Sequence, residues 1–127
     1  MSFLESLERC YGQWGDVGGR ASRTEYWHFV LFTILATAAL IYTFYDFHLG
    51  KSPFAPYAPY FLYAAFFAVP FFSLTIRRFH DIGYSGWWWL LLNLIPAIGH
   101  IIIFILMFFK GNQEDNRFGK SPYLHKK

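Results

Sequence analysis

Phe3, Leu4, Leu7, Cys10, Tyr11 and Trp14 recur every three or four residues, while Glu5, Glu8 and Arg9 fill the opposite positions. That period places the apolar residues on one face of a helix. Ser2 and Glu5 have the spacing of a capping box. Gly12, Gly15, Gly18 and Gly19 then end the helix. The pattern predicts a short amphipathic helix within residues 1–19. It would lie in the membrane interface or pack on the protein itself.

Beyond residue 23 the alternation gives way to long apolar runs. No Asp, Glu, Lys or Arg occurs in residues 26–45, 52–76 or 82–109, runs of 20, 25 and 28 residues. About 20 mostly apolar residues make a helix that crosses a bilayer. A first span is predicted over residues 24–45, started by Ser22 and Glu25 at capping-box spacing. Tyr26 and Trp27 suit the headgroup level, and Thr33, Ala36 and Thr37 offer a small, polar packing face. Pro53, Pro56 and Pro59 mark a loop over residues 46–58 and the start of a second span over residues 59–76. Ala64 and Ala68 give that span a small-residue face, and Pro70 is expected to kink it. The third run, residues 87–109, is interrupted by PAIGH at residues 96–100. Residues 110–127 form a polar tail. The expected fold is all-α: a polytopic helical membrane protein with two full spans, a third segment that is re-entrant or kinked, and an amphipathic N-terminal helix. A single integral-membrane domain, residues 1–127, accounts for the whole pattern.

Composition strengthens this reading. Of the 127 residues 55% are hydrophobic, 24% aromatic and only 15% charged. A soluble chain this short buries too small a share of its surface to hide so much apolar area. The formal net charge of +3 sits on residues that flank apolar runs. Anionic phospholipid is therefore the expected partner, and nucleic acid is not. The single cysteine, Cys10, excludes an intrachain disulfide. Three acids and one base in the first 19 residues, with no continuous apolar stretch, do not suggest a cleavable leader.

The Lys and Arg positions bear on topology. If the third run is one straight span, the two sides of the membrane carry five and six. If it folds back near residues 96–99, ten share one side and only Lys51 lies on the other. That asymmetry favours a hairpin with both termini cytoplasmic. Length argues the other way. Arms of 9 and 13 residues, at about 1.5 Å per residue, do not cross ~30 Å of hydrocarbon. A hairpin would be re-entrant.

Residues 77–89, RRFHDIGYSGWWW, carry the most concentrated polar chemistry. The simplest reading is a turn. Arg77 and Arg78 end the second span, Asp81 and Gly83 turn the chain, Ser85 caps the next helix, and three tryptophans anchor it. Ion pairs of Arg77 with Glu25 and of Arg23 with Asp81 would only tie helices together. A sharper reading joins three segments on one membrane side. Arg20, Arg23, Glu25, Arg77, Arg78, His80, Asp81, Asn116 and Arg117 would then converge. Their guanidinium groups would hold the phosphate or carboxylate of a headgroup or partner protein, with His80 near Glu25 and Arg117. Catalysis on headgroups by His80 and Asp81 is a third reading. An oligomeric channel or transporter built on the broken helices is another. Asn93 and His100 would share one face if the third run were a continuous helix. His28 and His48 fall near span ends, at the interface. No metal-ligand spacing, nucleotide loop or nucleophile motif is present, so no cofactor is expected.

Four motifs together resemble one known family. They are GRASRxEYW (residues 19–27), RRxHDxGxSGWW (77–88), LIPxIG (94–99) and NRFG (116–119). The resemblance is to the bacterial family catalogued as domain of unknown function 805, and it covers nearly the whole chain. Tyr84 stands where many members carry Arg or Lys, and Ser121 with Pro122 where members often have Asp- or Asn-Pro. The resemblance implies a multi-pass helical protein of the bacterial inner membrane, of unestablished activity.

Overall fold

The computed structural model describes residues 1–44 and 57–124. Most of the expected loop 46–58, with His48, Lys51, Pro53 and Pro56, lies outside the described residues, as do Lys126 and Lys127. Five helices follow in order: α1 (Phe3–Gly12), α2 (Arg23–Phe44), α3 (Ala58–Asp81), α4 (Trp87–Asn93) and α5 (Ile98–Phe108). No strand is present among the described residues.

The expected capping box forms at the start of α1. Ser2 Oγ accepts from the Glu5 amide at 3.2 Å, and Glu5 Oε2 accepts from the Ser2 amide at 2.7 Å. Part of the apolar face of α1 packs on α2 and α3. Phe3 stands edge-on to His28 and Phe32, Tyr11 packs on Phe29 and Phe66, and Ser6 Oγ lies 2.8 Å from His28 Nδ1. The aromatic surface of its own chain takes Phe3 and Tyr11, while Leu4 of the same helix and Trp14 just beyond it stay exposed.

α2 and α3 are the two helices long and apolar enough to cross a membrane, over Arg23–Thr43 and Pro59–Asp81. Only 11% and 28% of their apolar windows are buried. A soluble core helix of that hydropathy would be hidden, so these faces suit lipid. The Thr33 face meets α3 as expected. Tyr63 Oη donates to the Thr33 carbonyl at 3.1 Å and also bonds Thr37 Oγ1. α3 turns Phe67, Pro70 and Leu74 inward. Ala64 and Ala68 consequently point outward, and this small-residue face is not packed against another described helix.

Two boundaries differ from the sequence reading. α3 continues unbroken through Pro70 to Asp81, so residues 77–81 are helical and only 82–86 form the turn. The charged side chains find partners within the protein, which lets the helix run past the end of its apolar stretch. The third run is a hairpin. α4 begins just after the end of α3, and α5 returns there, where Arg78 donates to the Phe109 carbonyl and Trp27 Nε1 to the Met107 carbonyl at 3.3 Å. Asn93 and His100 thus lie across a turn and not on one continuous face. The turn is tight. Ala97 has φ 61°, the one positive φ among described non-glycine residues. A Cβ on Gly99 would lie 1.7 Å from the Leu92 carbonyl oxygen, so the first turn of α5 seats directly on α4.

Candidate functional site

A helix leaves its last carbonyls without intrahelical donors, and at the end of α3 the rest of the chain supplies them. Ala21 N donates to the Arg77 carbonyl at 3.1 Å, Asn112 N to Asp81 O at 2.8 Å, and Asn116 Nδ2 to His80 O at 2.9 Å. The turn completes the set. Ile82 N reaches Arg78 O and Tyr84 N reaches Phe79 O, at 3.3 and 2.9 Å. The N-terminal segment, the end of α3 and the tail therefore form one polar cap, at the same end as the feet of the α4–α5 hairpin.

Arg77 and Arg78 are neighbours on a helix, so their side chains leave it about 100° apart. They build two separate clusters. Arg77 faces α1 and α2. Its Nη1 lies 3.2 Å from Glu25 Oε1, in a pair buried on both sides, and also donates to Gln13 Oε1. Arg9 Nη2 stands 3.8 Å from Glu25 Oε2, in ion-pair range but too far for a hydrogen bond. Ser22 Oγ accepts from the Glu25 amide at 3.2 Å, giving half of the second capping box. The other half is missing because the Glu25 carboxylate has turned to Arg77. Cys10 lies 3.9 Å from Glu25 Oε1. Burial, and then the Glu25 charge, push its thiol up to about 12, which leaves it protonated and inert at neutral pH.

Arg78 faces the tail. Asp81, one turn on, is the centre of the second cluster. Arg78 Nη1 donates to its Oδ2, Tyr123 Oη donates to the same oxygen at 2.6 Å, and Arg20 holds Oδ1 through Nε at 3.1 Å and Nη2 at 2.9 Å. Arg20 Nη1 reaches the Glu114 carbonyl at 2.7 Å, and Nη2 the Asn112 carbonyl. Burial, followed by the bond to Asp81, raises the Tyr123 phenol above its ordinary value. The packing leaves room only for hydrogen at Gly111, where a Cβ would sit 1.9 Å from Asp81 Oδ2.

Of the nine residues singled out in the sequence, the cap holds all nine but pairs them differently from two expectations. Glu25 meets Arg77 and not His80. Arg23 is exposed and donates to the Phe108 carbonyl at 3.3 Å, and Asp81 is taken by Arg20 and Arg78. The two arginines nearest to Asp81 in space close off its carboxylate before Arg23 can reach it. His80 Nδ1 bonds the Gly19 carbonyl at 3.0 Å. A carbonyl only accepts, so the proton is on Nδ1, and Nε2 points toward Gly86. The imidazole stacks on Phe118 at 4.1 Å, with planes 1° apart, and the exposed Arg117 guanidinium lies 4.6 Å from that same ring. Gln13, Gly111, Asn112, Phe118 and Tyr123 complete the cap and were not singled out. Gln13 gives no signal in sequence, since it merely ends an amphipathic helix. Phe118 lay inside a recognised motif, where its aromatic character beside Arg117 was a usable cue.

A groove of about 370 Å³ opens beside His80. Val17, Phe72, Ile76, Trp89 and Leu90 give it apolar walls, and His80 and Ser85 stand at a polar end. Asp81 is fully buried and saturated by two arginines and a tyrosine. Both of its oxygens are occupied by groups of the chain itself, which leaves neither free to meet a substrate.

Comparison with known proteins fits this architecture. Residues 15–120 match the family described as protein of unknown function, DUF805. The chain belongs to this family. It is 37% identical over 107 residues to inner membrane protein YhaH of Escherichia coli K12, covering 84% of this chain and 86% of that one. It is 36% identical over 105 residues to inner membrane protein YhaI of the same strain, covering 82% and 83%. No solved structure matches. With these DUF805 relatives and two exposed apolar helices of spanning length, the chain is a membrane protein. The span that matches the family holds both Asp81 and its two arginines, whereas α1 and Tyr123 lie outside it.

Proposed function

We propose that the protein is a non-enzymatic, multi-pass protein of the inner membrane whose cytoplasmic cap binds an anionic phospholipid. The observation that carries this reading is the groove beside His80. Its volume lies in the range of ligand sites, and its walls match an acyl chain. Its polar end adjoins the stacked His80 and Phe118, with the exposed cation of Arg117 on the same ring. Arg117 attracts the headgroup phosphate, and His80, with its proton on Nδ1 against the Gly19 carbonyl, lines the groove. The exposed Arg23 and Lys110 add positive charge to the protein surface. Arg20, Arg77 and Arg78 act differently from the first expectation. They are buried against Glu25 and Asp81, so they build the cap and do not touch the lipid. The ten-to-one distribution of Lys and Arg supports a cytoplasmic placement.

Native mass spectrometry of the purified protein with phosphatidylglycerol and phosphatidylcholine tests the reading. Phosphatidylglycerol is expected to be retained preferentially. Arg117→Ala should weaken that retention by about fivefold, the usual effect of one basic residue near an anionic surface. Equal retention of the two lipids, or no response to Arg117→Ala, would overturn it.

A further inference from the structure

The polar end of the groove has a defined hydrogen-bonding capacity. His80 Nδ1 lies 3.0 Å from the Gly19 carbonyl, which only accepts, so the ring proton is held there. Above about pH 7 an ordinary imidazole is neutral, and its second nitrogen then carries a lone pair and accepts. The bond to Gly19 and the stack on Phe118 fix the ring, so Nε2 cannot turn away. No described residue donates to it. Ser85 lines the same groove. Its Oγ accepts from the Trp87 amide at 3.4 Å, which leaves the O–H free to donate.

Gly86 keeps this end open. Its backbone, with φ −60° and ψ −21°, is one that any residue adopts, so conformation does not call for glycine. Space does. A Cβ there would stand 2.7 Å from Ile76 Cγ2 and 3.6 Å from His80 Nε2.

The groove thus presents one acceptor and one donor at its polar end. A hydroxyl answers both, donating to Nε2 and accepting from Ser85. A phosphodiester only accepts, so it leaves Nε2 unmet. An ammonium donates but cannot accept. The exposed Arg117 guanidinium, 4.6 Å from the ring on which His80 stacks, also repels an ammonium.

We propose that the groove selects a hydroxyl-bearing anionic headgroup, the glycerol of phosphatidylglycerol, and binds its hydroxyl between His80 Nε2 and Ser85 Oγ. The proposal rests on the reading of the groove as a lipid site and adds the group that is recognised. Charge draws the phosphate to Arg117, and the hydroxyl contacts read what the phosphate carries. Glycerol suits this division because its hydroxyls lie within a few bonds of the phosphate.

Phosphatidylethanol separates the two contributions. With the same acyl chains it carries the same single negative charge and no headgroup hydroxyl. Native mass spectrometry at about pH 8, where imidazole is neutral, with the two lipids in equal amounts should show phosphatidylglycerol retained about two- to tenfold more, the effect of one neutral hydrogen bond. His80→Asn keeps a side-chain donor for the Gly19 carbonyl and lacks Nε2. Ser85→Ala removes the hydroxyl with little change in volume. Each should bring the ratio toward one. Helical circular dichroism checks that both variants fold, and if His80→Asn does not, the native chain and Ser85→Ala still decide. Equal retention of the two lipids by the native chain, a ratio unchanged in a folded variant, or phosphatidylethanolamine retained above phosphatidylglycerol would overturn the proposal. If both anionic lipids exceed phosphatidylcholine equally, only the hydroxyl selection falls. If neither exceeds it, the lipid site falls as well.

Discussion

The two ends of α3 obey opposite rules. Toward its C-terminus, Arg77, Arg78 and Asp81 are fully buried. Toward its N-terminus, Phe61 and Leu62 are 75% and 74% exposed. A soluble protein would show the reverse, with charges almost never buried and large apolar side chains inside. The inversion follows from the solvent. Lipid accepts Phe61 and Leu62 at no cost, and nothing needs to cover them. Charges at the edge of that lipid must be matched within the protein, and α3 reaches past its apolar stretch to do so. One helix therefore spends its apolar length on the bilayer and its last turn on holding the chain together.

The sharpest way to break the comparison is to empty the charged end. Asp81→Ala leaves Arg20 and Arg78 buried with no carboxylate, and removing one member of a buried ionic cluster typically costs about 3–5 kcal/mol. Thermal unfolding in detergent micelles, followed by the helical circular dichroism signal, should show that loss. A change below ~1 kcal/mol would mean that water already reaches the cluster. Arg77 and Glu25 form a second cluster on another side of the helix, so they should stay paired in this variant.

The sequence announced the apolar end of α3 far more clearly than the charged end. Charge-free runs of 20 residues or more follow from the thickness of the bilayer, so the two candidate spans needed no tertiary information. The capping box at Ser2 and the Thr33 packing face were equally local. Pairing was not. The Arg77–Glu25 pair follows the expectation, but a turn of about 100° sends Arg78, one position on, to the tail, and Asp81 pairs with Arg20 and Arg78 and not with the expected Arg23. The same limit hid Tyr123, which reaches Asp81 across 42 positions. The hairpin was open in sequence because charge and length pointed opposite ways. The fit of Gly99 against Leu92 is the tertiary fact that resolves the shape.

Tyr123 sharpens the comparison at intermediate size. Its hydroxyl donates to a buried carboxylate, and Tyr123→Phe removes that bond while keeping the ring. Such bonds contribute roughly 1.5–3 kcal/mol, and the lower end applies here because Tyr123 is only half-buried. Its pH dependence has a definite sign. The folded phenol holds its proton above the ordinary value of 10.0. The stabilising effect is therefore complete below about pH 10 and is lost as pH rises through the raised folded value. Unfolding of the native chain should steepen on that alkaline limb, and Tyr123→Phe should flatten it. An alkaline limb unchanged by the substitution would show that another group governs it.

The smallest effect is expected at the apolar end, and it is the one that tests the role of lipid. Phe61 and Phe67 lie on the same helix, one 75% and the other 7% exposed. Phe67 packs against Phe32 and Tyr63, with ring centroids 5.5 and 4.5 Å away. Phe67→Ala opens a cavity there, and such truncations cost about 2 kcal/mol or more. Phe61→Ala opens none, because lipid fills the space, and its cost should stay within ~0.5 kcal/mol. Side-by-side unfolding of the two variants in bilayer-like nanodiscs measures the difference. If Phe61→Ala cost as much as Phe67→Ala, the outward face of α3 would be packed against protein, and its exposure would no longer indicate lipid.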